Sequence, residues 1–332
     1  MIIHYNGKQK YDVVIDHNIL DRIDEFYNFK NEKKLIITDS LIPDTYINKI
    51  TSKLANTFVY RFKSGEESKS IETVLQILDF LVKNKFSRTD MIISLGGGVT
   101  SDISGFVASI FKRGIKLVLI PTSTLGMVDA AIGSKNGVDY DGIKNVFGTF
   151  FFPKVVLCDL ETLKTLPTRH YYNGLVEALK IALLVDKKLY NMFLNNNIDE
   201  NIDKIIYLSI LNKINIVKKD EIDSSLRMIL NFGHTIGHAI EALNMDKIYH
   251  GEAVAKGMLY MIEDQKLKNE VKSILTRMNI DTTLCDDEDA INKLVLQDKK
   301  IRNGQINLIK LHSLTDFYVK PIKESDFDVR HL

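Results

Sequence analysis

Residues 91–108 constrain this chain more than any other stretch. Met91-Ile92-Ile93-Ser94-Leu95 is a short, almost wholly apolar run, the pattern of a strand buried on both faces. Gly96-Gly97-Gly98 follows at once, and beyond Val99-Thr100-Ser101-Asp102 the segment Ile103–Ala108 reads as helix. Strand, glycine turn and helix in that order let backbone N–H groups and a helix N-terminus hold a phosphate. The turn is not the usual G-x-G-x-x-G frame, and on these residues alone a tight turn with Asp102 as N-cap explains it equally well. The same alternation continues on both sides. Strands are predicted at 11–15, 34–38 (ended by Asp39), 57–62, 117–120 and 155–158, and a helix over 71–84. Such alternation implies a parallel α/β sheet covered on both faces.

After Leu166-Pro167 the character changes. Residues 171 to about 280 are nearly all helical in pattern, with no convincing strand, and the tail from Gln297 reads as a loop leading into a short strand at 306–309. A chain of 332 residues suits two domains. We place the boundary near 160: an α/β domain over 1–160 and a mainly helical one over 161–332. Ahead of it, Asp129–Val138 and Gly142–Asn145 read as irregular and polar. Lys135 and Lys144, flanked by glycines there, suit a phosphate or carboxylate contact.

Bulk properties exclude several classes. The formal charge is +1, with Lys and Arg spread along the chain, so nothing recruits nucleic acid or an anionic membrane. No apolar run approaches a membrane span, and Met1–Asn6 lacks the layout of a signal peptide. Cys158 and Cys285 make neither a disulfide framework nor a zinc ribbon, and the expected compartment is a reducing cytoplasm.

Within the helical half, Arg227, Asn231, His234 and His238 stand at offsets 0, 4, 7 and 11, which is one narrow stripe if the segment is a single helix. An ordinary solvated face would use Lys, Glu and Gln. This one uses Arg, Asn and two His, beside Gly233 and Gly237, each of which weakens a helix by roughly 1 kcal/mol. Close approach of a ligand or another backbone would explain the glycines. His250 follows twelve residues later, so three of the eight histidines fall within seventeen residues. Two His with one carboxylate is a recurrent metal set. On this reading the helix supplies His but no inward acid, and the carboxylate comes from elsewhere. Glu177 and Lys180 lie one turn apart, a spacing that a surface ion pair would also explain, and Lys213 is equally ambiguous.

These segments together resemble the 3-dehydroquinate synthase family: Gly96–Phe106, Pro121-Thr122, Val128-Asp129 with Lys135, Lys144-Asn145, Glu177 with Lys180, Arg227 through Ala239, His250–Val254 and Asp298-Lys299-Lys300, in consistent order and spacing. The resemblance implies a nucleotide-binding α/β domain, a mainly helical domain, and an active site between them. It implies Glu177, His234 and His250 as ligands of Zn2+ or Co2+, with His238 on the substrate side. It implies NAD contacts from Asp39, Glu66, Lys69, Gly97, Gly98, Val99, Asp102, Thr122, Ser123, Thr162 and Thr165, with Lys135 and Lys144 near both cofactor and substrate. It implies substrate contacts from Asp129, Lys135, Lys144, Asn145, Lys180, Lys213, Arg227, Asn231, His238 and one of Lys299 and Lys300. Arg113 matches a position that reaches the neighbouring subunit's phosphate site, hence a homodimer.

The family's substrate is a seven-carbon sugar-acid phosphate. NAD oxidises one hydroxyl, phosphate is eliminated, the ketone is reduced again, and the opened ring closes by an aldol step. Lys213 and Arg227 suit the substrate carboxylate. The chain departs from the family pattern at Ser101, Ser123, Ala130-Ala131, Ser134 and Asn136. Two alternatives share the architecture. A sister sugar phosphate cyclase acting on a carboxylate-free substrate would have little use for both Lys213 and Arg227, and a metal-dependent glycerol or alcohol dehydrogenase has no need for so many phosphate-binding cations. A binding protein without turnover is the third possibility, and the full donor set speaks against it.

Overall fold

The computed structural model describes residues 1–195, 198–223, 225–244, 247–284, 287–297 and 304–332. They form two compact units: Met1–Pro167 with Lys213–Ile222, and Thr168–Asn212 with Asp223–Leu332.

The first unit is built on a sheet of seven strands: β1 (Ile2–Asn6), β2 (Lys10–Asp16), β3 (Lys34–Asp39), β4 (Thr57–Phe62), β5 (Met91–Gly96), β6 (Lys116–Pro121) and, after a hairpin described below, β9 (Val155–Asp159). Their order is β1-β2-β9-β6-β5-β3-β4. All pairings are parallel except β1 with β2. The edge strand β1 was not expected from sequence. Every residue of β5 and β9 is buried, which is why those strands read as unbroken apolar runs. Helices α1 (Ile23–Phe26), α2 (Asp44–Lys53), α3 (Ile71–Lys83) and α4 (Gly98–Ile110) fill the crossovers. Ile19, Ile23, Ile47 and Ile50 pack with Ile36, Ile93, Val118 and Leu157 in one buried cluster.

Two expectations are corrected here. Helix α4 starts at Gly98 with Gly97 as its N-cap, so Asp102 lies inside the helix and caps nothing. The polar segment after residue 130 is not irregular. A π-helical turn, Gly126–Ala130, leads into an antiparallel hairpin of β7 (Lys135–Tyr140) and β8 (Ile143–Phe150). Gly137 read as a loop glycine, yet it faces Gly148 across this hairpin. A Cβ on either would lie 2.9 Å from the opposing backbone oxygen of Phe147 or Asn136. The glycines serve strand contact there.

The second unit is helical: α5 (Thr168–Val185), α6 (Lys187–Leu194), the greater part of α7 (Ile202–Val217), α8 (His234–Leu243), α9 (His250–Met261), α10 (Gln265–Arg277) and α11 (Glu288–Leu296). It also carries an antiparallel pair, β10 (Gln305–Ser313) with β11 (Asp316–Lys323), so the short strand expected at 306–309 is part of a longer hairpin. None of the described helices is long and apolar enough to cross a membrane.

Candidate active site

Three helices of the second unit bring the histidines and the carboxylate together. The chain turns into α8 through Gly233, whose φ of 77° an L side chain rarely adopts. A Cβ on Gly237 would lie 3.0 Å from the Val254 Cα, and one on Gly257 would lie 2.0 Å from the Gly233 carbonyl oxygen. Helices α8 and α9 thus touch backbone to backbone, and His234 and His238 come beside His250. The N-terminus of α9 is pinned to α5, where the Gly251 N–H donates to Asn173 Oδ1 at 2.7 Å. Helix α5 carries Glu177 and Lys180 one turn further on.

The outcome is a buried donor set. His234 Nε2 and His250 Nε2 lie 3.6 and 3.5 Å from Glu177 Oε1. The three rings of His234, His238 and His250 have centroids 5.3 to 5.9 Å apart. Both Glu177 oxygens are buried without a hydrogen-bond partner, and the group they meet most closely is the Lys180 ammonium. This pair, with side chains 0 and 2% exposed, is no surface ion pair. Glu177 Oε1, facing two imidazole nitrogens, suits a divalent cation. Bonds of about 2.0–2.2 Å in a tetrahedron set donor atoms roughly 3.4 Å apart, close to the separations found here.

The electrostatics agree with that use. Burial pushes the Glu177 carboxyl up, but the Lys180 ammonium and the two imidazoles outweigh it and hold the group well below the usual carboxylate range. Burial, reinforced by Lys180, keeps His234 neutral, its pKa well below the ordinary value. Burial also opposes charge on His250, yet Glu177 and Glu241 overcome it and raise its pKa to about 9. A cation binding to Nε2 therefore competes with a proton.

The stripe expected from Arg227 to His238 is not one helix. Leu226–Asn231 is a 3-10 turn that ends at Phe232, and α8 begins afresh at His234. Arg227 is buried on that turn, and the Lys180 Nζ donates to the Leu230 carbonyl at 2.6 Å, tying Asn231's segment to α5. The expectation that the helix has no inward acid is also corrected. Glu241 groups with His238 and His250, with donor atoms all within 4.8 Å of one another. Its signal was present in the sequence, since it stands one turn after His238.

In the first unit the expected nucleotide residues gather at one edge of the sheet. Asp39 ends β3, the Gly97-Gly98 turn with Val99 follows β5, Thr122 and Ser123 follow β6, and Thr162 and Thr165 lie in the 3-10 segment after β9. The chain leaves β3 toward β4 and leaves β5 toward β6, on opposite sides, so the carboxyl ends of β3 and β5 flank a topological switch point. Thr100 Oγ1 donates to Asp39 Oδ2 across it at 3.2 Å. Asp102 and Lys69 form a 2.7 Å ion pair, with Glu66 Oε1 3.9 Å from the same ammonium. Burial pushes Asp102 up to about 6 despite Lys69; burial opposes the charge on Lys69, but the neighbouring carboxylates, led by Asp102, outweigh it and raise its pKa. The Thr162 and Thr165 hydroxyls are engaged by the Asp159 carbonyl and Tyr46.

Lys213 is buried and donates to Asp129 at both its carbonyl oxygen (2.6 Å) and Oδ1 (2.5 Å). Lys135 opens β7, while Lys144 and Asn145 lie exposed on β8. Arg113 is exposed at the end of the 3-10 turn after α4. Lys299 and Lys300 lie outside the described residues. The departures are accommodated locally. The Ser101 hydroxyl donates to the Gly98 carbonyl, Ser123 Oγ accepts from the Gly126 N–H, and Asn136 Nδ2 donates to the carbonyls of Ser134 and Phe151.

Residues 59–173 match the 3-dehydroquinate synthase N-terminal domain, and residues 174–301 match the 3-dehydroquinate synthase C-terminal domain. The chain is 36% identical over 344 residues to the 3-dehydroquinate synthase of Campylobacter concisus, covering 98% of this chain and 97% of that one. Among solved structures, 2-deoxy-scyllo-inosose synthase complexed with carbaglucose-6-phosphate, NAD+ and Co2+ superposes with a TM-score of 0.89 at 24% identity, covering 98% of this chain and 97% of its own. The 2-epi-5-epi-valiolone synthase of Streptomyces hygroscopicus, with NAD+ and Zn2+ bound, gives 0.85 at 24%, covering 99% and 96%. Matching family domains over most of its length, and a relative of this similarity over nearly all of it, the chain belongs to the 3-dehydroquinate synthase family.

Proposed function

We propose that this chain converts 3-deoxy-D-arabino-heptulosonate 7-phosphate into 3-dehydroquinate and phosphate, as a phosphate-eliminating lyase that uses NAD and a divalent cation. The observation that carries the reading is the buried Glu177–His234–His250 donor set within a chain of this family. On this reading the first unit holds NAD at the carboxyl ends of β3, β5 and β6, and the second unit holds Zn2+ or Co2+ on those three ligands. Bound NAD supplies reversible hydride transfer, and the bound cation supplies polarisation of a hydroxyl and carbonyl oxygen.

The chain's own side chains bind and orient the sugar acid. Arg227 offers its carboxylate two parallel N–H donors, and Lys213 adds a point charge by exchanging its Asp129 partner. Lys135, Lys144, Asn145, Asn231, His238 and one of Lys299 and Lys300 supply donors for the phosphate and hydroxyls. Lys180 keeps Glu177 anionic, ready as a ligand. Exposed Arg113 would serve the neighbouring subunit of a homodimer. The buried free thiol of Cys158 suits a reducing cytoplasm, where we place the enzyme. The test is phosphate release from the heptulosonate phosphate, with and without a chelator. Release should stop with the chelator and return with added Zn2+ or Co2+. Full release after complete metal removal would overturn the reading.

A further inference from the structure

His250 meets two carboxylates, one at each ring nitrogen. Its Nε2 faces Glu177 Oε1 at 3.5 Å, and its Nδ1 faces Glu241 Oε2 at 3.4 Å. His234 is arranged in the same way. Its Nε2 faces Glu177 Oε1 at 3.6 Å, and its Nδ1 lies 3.1 Å from the Phe232 carbonyl oxygen. Each imidazole therefore turns one nitrogen to the shared carboxylate and the other to an acceptor. For His234 that acceptor is backbone. For His250 it is a side chain, contributed by α8 and 19% exposed.

A neutral imidazole has a single N–H. If Nε2 is to bind a cation it must be bare, and the proton then belongs on Nδ1. An acceptor at Nδ1 fixes that tautomer, sets the ring's orientation and raises the basicity of the ligating nitrogen, and a carboxylate does so more strongly than a carbonyl. We propose that Glu241 is a positioning residue for the metal centre: it accepts the Nδ1–H of His250 and holds Nε2 toward Glu177, without binding the ion itself. This rests on the reading of Glu177, His234 and His250 as the ligands. The competing use of the same atoms is a second cation site on His238, Glu241 and His250, whose donor atoms lie within 4.8 Å of one another. The two uses exclude each other if that site draws on the His250 Nδ1, because one nitrogen cannot both carry the proton and bind an ion.

The experiment is a Zn2+ titration of the metal-free full-length chain against a chromophoric chelator, for wild type, Glu241→Ala, Glu241→Gln and His250→Ala. Wild type should bind one ion per chain. Glu241→Ala should bind it about 10- to 100-fold more weakly, with an altered visible absorption band when loaded with Co2+. Glu241→Gln, which keeps an acceptor but loses the charge, should fall between, and it carries the comparison if the alanine variant does not fold. NAD affinity should be unchanged in both. Wild-type Zn2+ affinity in Glu241→Ala, or two ions per wild-type chain falling to one in that variant, would overturn the role given to Glu241. If His250→Ala also keeps full affinity, the ligand reading itself fails. If only His250→Ala loses the ion, the failure is confined to Glu241.

Discussion

On the proposed reading, substrate choice turns on the Arg227 side chain. It is buried on a 3-10 turn, where burying a guanidinium is worthwhile only if its donors are used. A planar guanidinium takes a carboxylate in two parallel bonds, and Lys cannot reproduce that fork. Charge-assisted hydrogen bonds contribute roughly 1.5–3 kcal/mol. Arg227→Lys should therefore weaken the heptulosonate phosphate about tenfold to a hundredfold while leaving metal content and NAD affinity unchanged. Steady-state kinetics of the variant, beside trials of carboxylate-free sedoheptulose 7-phosphate and glucose 6-phosphate, check this. Efficient turnover of either sugar by the wild type, with little effect of the substitution, would point to a sister cyclase instead.

At the scale of elements, the pairing of α8 with α9 decides whether the donors meet. Gly233 and Gly237 were legible as helix-weakening residues in need of a reason, and the reason is a neighbouring backbone rather than a ligand; Gly257 joins them only in the structure. At Gly257 the obstacle to a side chain is the Gly233 carbonyl oxygen and the Gly237 nitrogen, neither of which can rotate away. Gly257→Ala must push the two helices apart, an overpacking change that costs about 1–3 kcal/mol. It should lower the melting temperature and reduce bound metal together, because His234 and His250 separate as the helices do. A variant with wild-type melting and full metal content would contradict this account of the interface. The same close-contact chemistry hid the β7–β8 hairpin, where Gly137, which faces Gly148 in the structure, helped give the sequence the look of a loop.

For the whole molecule, the proposed reaction is redox-neutral, since the hydride leaves the substrate and returns to it within one turnover. NAD should be needed only in catalytic amounts, with no net rise in NADH absorbance as phosphate accumulates. NADH formed in step with product would favour the dehydrogenase alternative, which the family matches do not. The measurement uses the intact chain, because the residues assigned to NAD and to the metal belong to different units.

Local pattern determined much of this protein. Strands β3, β5 and β9 are buried on both faces, so each announces itself as an apolar run, and the helical half shows its period without help from partners. Motif order and spacing carried the family, and the resemblance then implied Glu177, His234 and His250 as a ligand set. Tertiary packing decided the rest. Glu177 lies 57 residues before His234, and only the contacts of α5, α8 and α9 bring them within 3.6 Å. The left-handed Gly233 split what read as one helical stripe, an effect of backbone conformation that side-chain periodicity does not register. Burial turned Glu177–Lys180 from an apparent surface pair into a buried ion pair beside two imidazoles. Glu241 stood within the key stretch all along, but its place against the second nitrogen of His250 exists only because α9 packs there. Spacing along a helix is local and can be read from the chain, whereas which faces of two helices meet is set by how closely their backbones can approach.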